Sequence, residues 1–145
     1  MSIYVIVPDS DIYHSLLLGD SDDWDVFHQF DGRKFIDSWR PVPVRIYRSH
    51  KSGDFPSLVS HVPVFSRRAL HALSPLIGDS IEALPLQNSV EELYAINVLA
   101  VVDCMDYSRA ELKYFSDGEI MDIIRYAFKP DCIKGKHIFK VRESH

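Results

Sequence analysis

Short apolar runs separated by glycine, proline and charged residues dominate this chain, and they predict more strands than helices. Residues 3–8 (IYVIVP) and 42–47 are apolar and rich in β-branched side chains, which is typical of strands. Between them, Asp31-Gly32 separates two runs rich in aromatic residues and predicts a hairpin. Residues 49–57 (SHKSGDFPS) have the composition of a loop, and they predict the end of an N-terminal β section.

The clearest predicted helix begins after Ser66, which is a suitable N-cap. Apolar residues then recur at spacings of three and four and predict one buried face: Ala69, Leu70, Leu73, Leu76 and Ile77. Gly78 predicts the end of the helix, and Pro75 predicts an irregular last turn.

Further strands are predicted after this helix. Pro85 places residues 81–87 at a sheet edge or a bulge. Residues 94–102 are almost entirely apolar and predict a strand buried on both faces, with a buried helix as the alternative. Residues 119–128, after an Asp-Gly turn, and residues 137–141 predict the last two strands. The chain should therefore form a single α+β domain over 1–145, with a mainly antiparallel or mixed sheet and few helices.

Charge separates the N-terminal section from the rest of the chain. Residues 1–40 carry eight acidic and three basic side chains, whereas the remaining residues carry 13 of each. An acidic section disfavours nucleic-acid phosphates and favours a basic protein partner. Charge runs are also common on surfaces that bind nothing, so a solubilising loop is the alternative.

The two cysteines, Cys104 and Cys132, have no C-x-x-C neighbour and indicate a reducing compartment without a disulfide framework, with a structural bridge between them as the less favoured alternative. The N-terminus lacks the basic region of a signal peptide, and no apolar run approaches the roughly 20 residues that cross a bilayer. We therefore predict a cytoplasmic protein that does not bind membranes and needs no cofactor.

The apolar run at 97–102 ends in Asp103 and Asp106, which could bind a metal ion if both carboxylates met at the end of a strand. In phosphatases with a paired aspartate motif the two aspartates lie two positions apart, whereas Asp103 and Asp106 lie three positions apart. Ser108 and Glu111 instead have the S-x-x-E spacing of a helix capping box. We therefore predict structural roles for these four residues, with Asp103 bonding backbone N–H groups in the turn.

No other motif indicates catalysis or a metal site. The seven histidines lack the spacing of a zinc-peptidase helix, and the nucleotide-binding and serine-hydrolase signatures are missing from the sequence. Aromatic residues concentrate in the acidic section: Trp24, Phe27, Phe30, Phe35 and Trp39. Most should be core, but aromatic side chains among acidic ones also suit a surface that binds a basic protein.

Several segments in order resemble a bacterial family of immunity proteins from polymorphic-toxin systems, the eleventh immunity family, first defined from a myxobacterial protein. The matching pieces are "FS-x-R-A" from Phe65, Pro85-Leu86, "N-V-x-x-V-V-D-x-x-D" from Asn97, and "I-F-K" from Ile138. The resemblance covers residues 55–142. Family members usually continue past the last strand, so this is either a short member or a chain whose C-terminal piece is missing.

The resemblance implies a non-enzymatic protein that binds and neutralises a cognate toxin domain by occlusion. The first 50 residues, outside the resemblance, would then carry partner specificity, and we predict contacts from Asp22, Asp23, Trp24, Asp25 and Asp31. Two alternatives stay open: a small metal-dependent hydrolase that uses Asp103 and Asp106, and a scaffold or homo-oligomerisation module without a toxin.

Overall fold

The computed structural model describes residues 2–47 and 50–143, which form an α+β fold around a five-stranded mixed sheet. The strands are β1 (Leu16–Leu18), β2 (Val42–Ile46), β3 (Val64–Ser66), β4 (Ile81–Gln87), β5 (Leu93–Val98), β6 (Val101–Val102), β7 (Glu111–Tyr114), β8 (Ile120–Arg125) and β9 (Lys140–Val141). The helices are α1 (Trp24–His28), α2 (Arg67–Ile77) and α3 (Pro130–Ile133). Single 3-10 turns occur at Ser21–Asp23, Ile36–Ser38 and Gly78–Ser80.

The central sheet has the order β1-β2-β4-β5-β3 and separates two layers. Only the β2–β4 pair is parallel among the pairs of this sheet in the described residues. Leu84 and Leu86 on β4 pack with Phe27 and Phe30 from the N-terminal section. Residues of the opposite parity, such as Ile81, pack against α2. This alternation is what a strand buried on both faces requires.

The prediction of a first strand at residues 3–8 was wrong. This segment has no regular secondary structure, and Tyr4 and Val7 are among its exposed side chains. The first strand is β1 instead, which pairs with β2. A strand needs a partner as well as the right residues, and no described segment pairs with residues 3–8.

The prediction of a β-hairpin at Asp31-Gly32 was wrong, because the flanking segments are not strands, although the chain does turn there. Gly32 has a φ of 101°, a conformation that favours glycine. The flanking segments are α1 and the 3-10 turn Ile36–Ser38. Phe27 and Phe30 stand three residues apart on the chain, and both rings turn into the core, as side chains at helical spacing do.

Strand β4 lies at the centre of the sheet, which corrects the predicted edge or bulge position of Pro85. Pro85 faces Tyr94 of β5, and its carbonyl oxygen accepts a hydrogen bond from Trp39 Nε1 at 2.8 Å. The nitrogen and oxygen of one strand residue point to the same side. The proline nitrogen therefore points towards Trp39, on the side of β4 where the pairing with β2 begins only at Leu86. Proline has no N–H to donate, and at this position no hydrogen bond between the strands is lost.

The predicted helix at Ser66 is confirmed as α2. Ser66 Oγ accepts the N–H of Ala69 at 3.1 Å, as an N-cap should. Ala69 and Ile77 are buried, whereas Leu76 is 58% exposed and does not belong to the buried face. Pro75 lies inside the helix, which continues to Ile77 before the 3-10 turn follows. Among the described residues, no helix combines the length and apolarity that a bilayer crossing requires.

The predicted later strands are confirmed as β5, β8 and, over two residues only, β9. Strand β5 ends at Val98, and the chain continues into β6, which pairs in parallel with β9. Strands β7 and β8 form a hairpin whose turn contains Gly118, with a φ of 89°. The loop predicted at 49–57 is irregular from residue 50 onward, and Ser49 lies outside the described residues.

The cysteines form a Cys104–Cys132 disulfide, so the prediction of two separate thiols was wrong. Cys104 follows β6, and Cys132 lies in α3. The bond closes the base of the β7–β8 hairpin and packs with Val102 and Ile133 in a small core of its own. Spacing along the chain could not reveal this pairing, because the two residues are 28 positions apart.

Candidate functional site

The candidate partner-binding residues Asp22, Asp23, Trp24 and Asp25 lie together in the acidic turn, our name for residues 20–25. The 3-10 turn Ser21–Asp23 leads directly into α1, and Asp20 Oδ1 accepts the N–H of Asp22 at 2.9 Å. Asp22 and Asp25 are exposed, and Asp23 is half-buried. None of the ion pairs formed within the described residues involves these carboxylates. Their negative charge is therefore directed at solvent.

Among the five aromatic residues named above for the acidic section, Trp24 has the exposed side chain. Its side chain is 41% exposed, and its ring lies edge-on to the His28 ring at 5.1 Å. His28 in turn stacks on His61 at 5.1 Å, and His61 Nε2 lies 3.2 Å from the Phe27 carbonyl oxygen. Burial lowers the pKa of His61, which favours its neutral form. The three rings form an aromatic row beside the acidic turn.

The other four of these five aromatic residues belong to the core. Phe27 and Phe30 are buried, and Phe35 and Trp39 pack against them. The two roles expected of these aromatic residues, core packing and partner binding, are therefore divided between different residues. Four rings fix the section to the sheet, and Trp24 stays available to a partner.

Asp31 differs from the acidic turn because its charge is already paired. Arg33 Nε donates to Asp31 Oδ1 at 2.9 Å, and Arg33 Nη2 donates to Oδ2 at 2.6 Å. These bonds lower the pKa of Asp31 to about 2. The nearby arginine offsets the negative charge that a basic partner would meet at this position.

A buried polar pair, which the sequence analysis missed, anchors the segment after Asp31. Glu82 on β4 is 8% exposed, and its carboxyl oxygens accept the backbone N–H groups of Phe35 at 2.7 Å and Ile36 at 3.1 Å. Asn97 lies opposite it on β5 and donates Nδ2 to Glu82 at 3.0 Å and to the Arg33 carbonyl oxygen at 2.7 Å. The sequence could have indicated this pair, because Glu82 and Asn97 are polar residues inside two otherwise apolar predicted strands.

Asp103 does not bond the backbone of the turn, which corrects the predicted role. Its side chain is 62% exposed, and Oδ2 accepts a hydrogen bond from Arg142 Nη1 at 2.9 Å. An exposed ion pair of this kind contributes about 0.5 kcal/mol. Replacement of Asp103 by alanine should therefore change stability little.

Ser108 and Glu111 do not form the predicted capping box, because no helix follows them. Residues 107–109 form a turn, and Glu111 begins β7. Asp106 organises the turn instead: it accepts the hydroxyl of Ser108 at 2.6 Å and Nε of Arg109 at 2.8 Å. The S-x-x-E spacing occurs at the start of many helices, but the partner strand β8 determines the conformation here.

The two aspartates of the hydrolase hypothesis bind different arginines. Asp103 pairs with Arg142, and Asp106 pairs with Arg109. Within residues 2–47 and 50–143, no group of three His, Cys, Asp or Glu side chains is arranged to hold a metal ion. His145 lies outside these residues. The observed pairs leave neither carboxylate directed at a shared ion.

Residues 83–145 match the model of the Immunity protein family (Imm11). The match covers somewhat less than half of the chain and confirms the resemblance from residue 83 onward, whereas residues 55–82, where we also expected it, lie outside the match. The acidic turn precedes the matched part. No curated protein and no solved structure matches the chain.

Proposed function

We propose that this protein is an immunity protein that binds a cognate toxin domain and neutralises it by covering its active site or substrate groove. The observation that carries the proposal is the match of residues 83–145 to the immunity family. A toxin as partner follows from that family in general. The mode of inhibition and the contact surface are our own inference from the exposed residues.

The acidic turn is the contact surface that we propose for a basic toxin. Its carboxylates lack cationic partners within the described residues, so they attract a basic surface at a distance and speed association. Trp24 and the adjoining histidine rings add aromatic surface next to this charge, and aromatic residues dominate binding energy in many interfaces. Asp31 contributes less, because Arg33 already pairs with it.

The first experiment is co-purification of the protein with the C-terminal domain of the toxin encoded next to its gene. Immunity predicts a stable complex and loss of toxin activity in that complex. A toxin domain that stays fully active with the protein in excess would contradict the proposal. A large secreted toxin encoded immediately upstream would support it independently.

Charge reversal tests the acidic turn. The triple variant Asp22→Lys, Asp23→Lys and Asp25→Lys should slow association with the toxin domain at least about tenfold at low salt, because steering is lost. The salt dependence of the association rate should also weaken. Stopped-flow fluorescence measures both.

A matched triple variant separates local charge from net charge. Asp79→Lys, Glu119→Lys and Asp131→Lys change the net charge equally at exposed positions outside the acidic turn. This control should slow association much less. Equal slowing in both triple variants would contradict a role for the acidic turn while leaving immunity itself intact.

Cytoplasmic action stays a prediction. The Cys104–Cys132 disulfide is of a kind that persists mainly in oxidising compartments. Two separate thiols would have supported a cytoplasmic location, and the disulfide removes that support. Cell fractionation combined with thiol labelling tests the compartment directly.

A further inference from the structure

A large groove lies between the N-terminal segment (residues 2–8) and the last part of the chain. Its volume is about 1070 Å³, which exceeds the usual volume of a small-molecule site. Val62, Val64 and Phe65 line it from the β3 region but are buried in the core, whereas Phe55 and Phe139 line it with accessible rings. A groove of this size and apolar character can accept a segment of polypeptide.

The N-terminal segment gives one wall of the groove an unpaired strand-like backbone. Within the described ranges, no hydrogen bond joins the backbone of residues 2–8 to another residue. Its side chains are mainly β-branched, and Val5 and Val7 are 69% and 74% exposed. Free N–H and C=O groups in a β-branched segment are a template for an added strand.

The ionisable groups of the groove favour an acidic occupant. Among the residues that the structure describes, no Asp or Glu lines it, although the whole chain has an excess of acidic residues. The basic lining residues are Arg109, Lys136, Lys140, His61 and His137. Arg109 is paired with Asp106, and Lys140 donates to the Phe30 carbonyl oxygen. Lys136 and His137 are exposed and form no side-chain hydrogen bond or ion pair within the described residues, so they are available to carboxylates.

We propose that this groove binds an extended peptide segment of the toxin in which acidic side chains alternate with apolar ones. The segment would pair with the backbone of residues 2–8, bury its apolar side chains against the accessible rings of Phe55 and Phe139, and direct its carboxylates to Lys136 and His137. This inference rests on the proposed function for the source of the peptide. It adds a second contact surface, opposite in charge to the acidic turn.

Peptide probes test the groove without the toxin. A fluorescein-labelled, amidated hexapeptide of alternating valine and glutamate should bind the full-length protein, as measured by fluorescence anisotropy. The matched peptide of alternating valine and lysine should bind at least about tenfold more weakly, because its charge opposes that of the groove. Equal affinity for both peptides, or no binding of either, would overturn the proposal.

Two proline variants test the backbone pairing. Successive N–H groups of a strand point to opposite sides, so Val5→Pro and Ile6→Pro remove donors on opposite sides of the segment. One variant should weaken peptide binding about tenfold and the other much less, as expected for the loss of one hydrogen bond. Because the backbone of residues 2–8 forms no hydrogen bond to the rest of the described chain, both variants should fold, which circular dichroism checks. Equal effects of the two variants would contradict strand pairing.

Lysine variants test the charge. Lys136→Glu should weaken binding of the valine–glutamate peptide about tenfold and reduce its salt dependence. Lys113→Glu, which makes the same charge change on β7 outside the groove, should have little effect. If both variants act equally, the groove does not recognise the carboxylates.

The final measurement uses the toxin domain and separates the two proposals. If the toxin binds and the valine–glutamate peptide competes with it, both proposals are supported. If the toxin binds but neither the peptide nor Lys136→Glu affects it, the groove proposal fails and the immunity function stands. If the peptide binds while the toxin does not, the immunity function fails, and with it the toxin as the source of the peptide. If light scattering shows a dimer that the responsive proline variant converts to monomer, a second copy occupies the groove and our proposal is wrong.

Discussion

At the residue scale, Glu82 holds the N-terminal section against the sheet. Its carboxyl group accepts hydrogen bonds from the backbone N–H groups of Phe35 and Ile36 and from the side-chain amide of Asn97. Buried donors that lose their acceptor cost about 1 to 3 kcal/mol each. The position of the acidic turn therefore depends on a residue that does not itself face a partner.

Replacement of Glu82 by glutamine should lower the free energy of unfolding by about 2 kcal/mol. Glutamine has the same shape, but one of its two terminal groups is a donor, so one backbone N–H loses its acceptor. Urea denaturation at neutral pH measures the change. Glu111→Gln, at an exposed position on β7, is the matched control and should have almost no effect. Equal stability of the two variants would contradict the anchoring role.

At the element scale, a short polar turn determines how the β7–β8 hairpin begins. Asp106 accepts hydrogen bonds from Ser108 and Arg109, and its backbone N–H donates to the Ala127 carbonyl oxygen at 2.8 Å. The hairpin exposes most of its residues on both faces. A two-stranded hairpin of this kind has little stability by itself, so the turn and the disulfide at its base hold it in place.

The turn should make stability depend on pH in acid. The Ser108 hydroxyl, and after it Arg109, lowers the pKa of Asp106 from 3.8 to about 2. Because the pKa is lower in the folded state, the carboxylate stabilises the fold above about pH 4, and this contribution is lost as the pH falls from about 4 to about 2. Carboxyl ¹³C chemical shifts measured against pH report the pKa directly.

Two variants show which group lowers the pKa of Asp106. Ser108→Ala should raise it more than Arg109→Gln, because the hydroxyl is the larger cause. A wild-type Asp106 that titrates near 3.8 would show that the turn is not formed in solution.

At the scale of the whole molecule, buried apolar side chains of the described residues form three separate hydrophobic clusters. Two lie on opposite faces of the central sheet, and the third surrounds the Cys104–Cys132 bond. The third cluster has only three fully buried residues. The C-terminal lobe therefore depends on its covalent bond more than the sheet does.

Loss of the disulfide should lower the free energy of unfolding by about 3 kcal/mol, because the bond closes a loop of moderate length and restricts the unfolded chain. Urea denaturation of the Cys104→Ala, Cys132→Ala double variant measures this loss. Dithiothreitol should destabilise the wild type by a similar amount and leave the double variant unchanged. Two reactive thiols per native chain, purified without reductant, would contradict the bond.

The sequence by itself determined the features that depend on neighbouring residues. The spacing of apolar residues and the Ser66 cap predicted α2, and Asp117-Gly118 predicted the turn of the last hairpin. The charge imbalance of the first 40 residues also follows from counting alone. Four of the candidate contact residues, 22–25, are consecutive in the sequence and therefore lie together in any fold.

Only the tertiary structure decided which of these residues are available to a partner. It buried Phe27 and Phe30, left Trp24 exposed, and joined Glu82 to a peptide group 46 and 47 positions away. Among the described residues, it also gave residues 3–8 no strand partner, although their side chains favour a strand. Local patterns report what a segment prefers, whereas burial, pairing and charge compensation depend on the distant segment that packs against it.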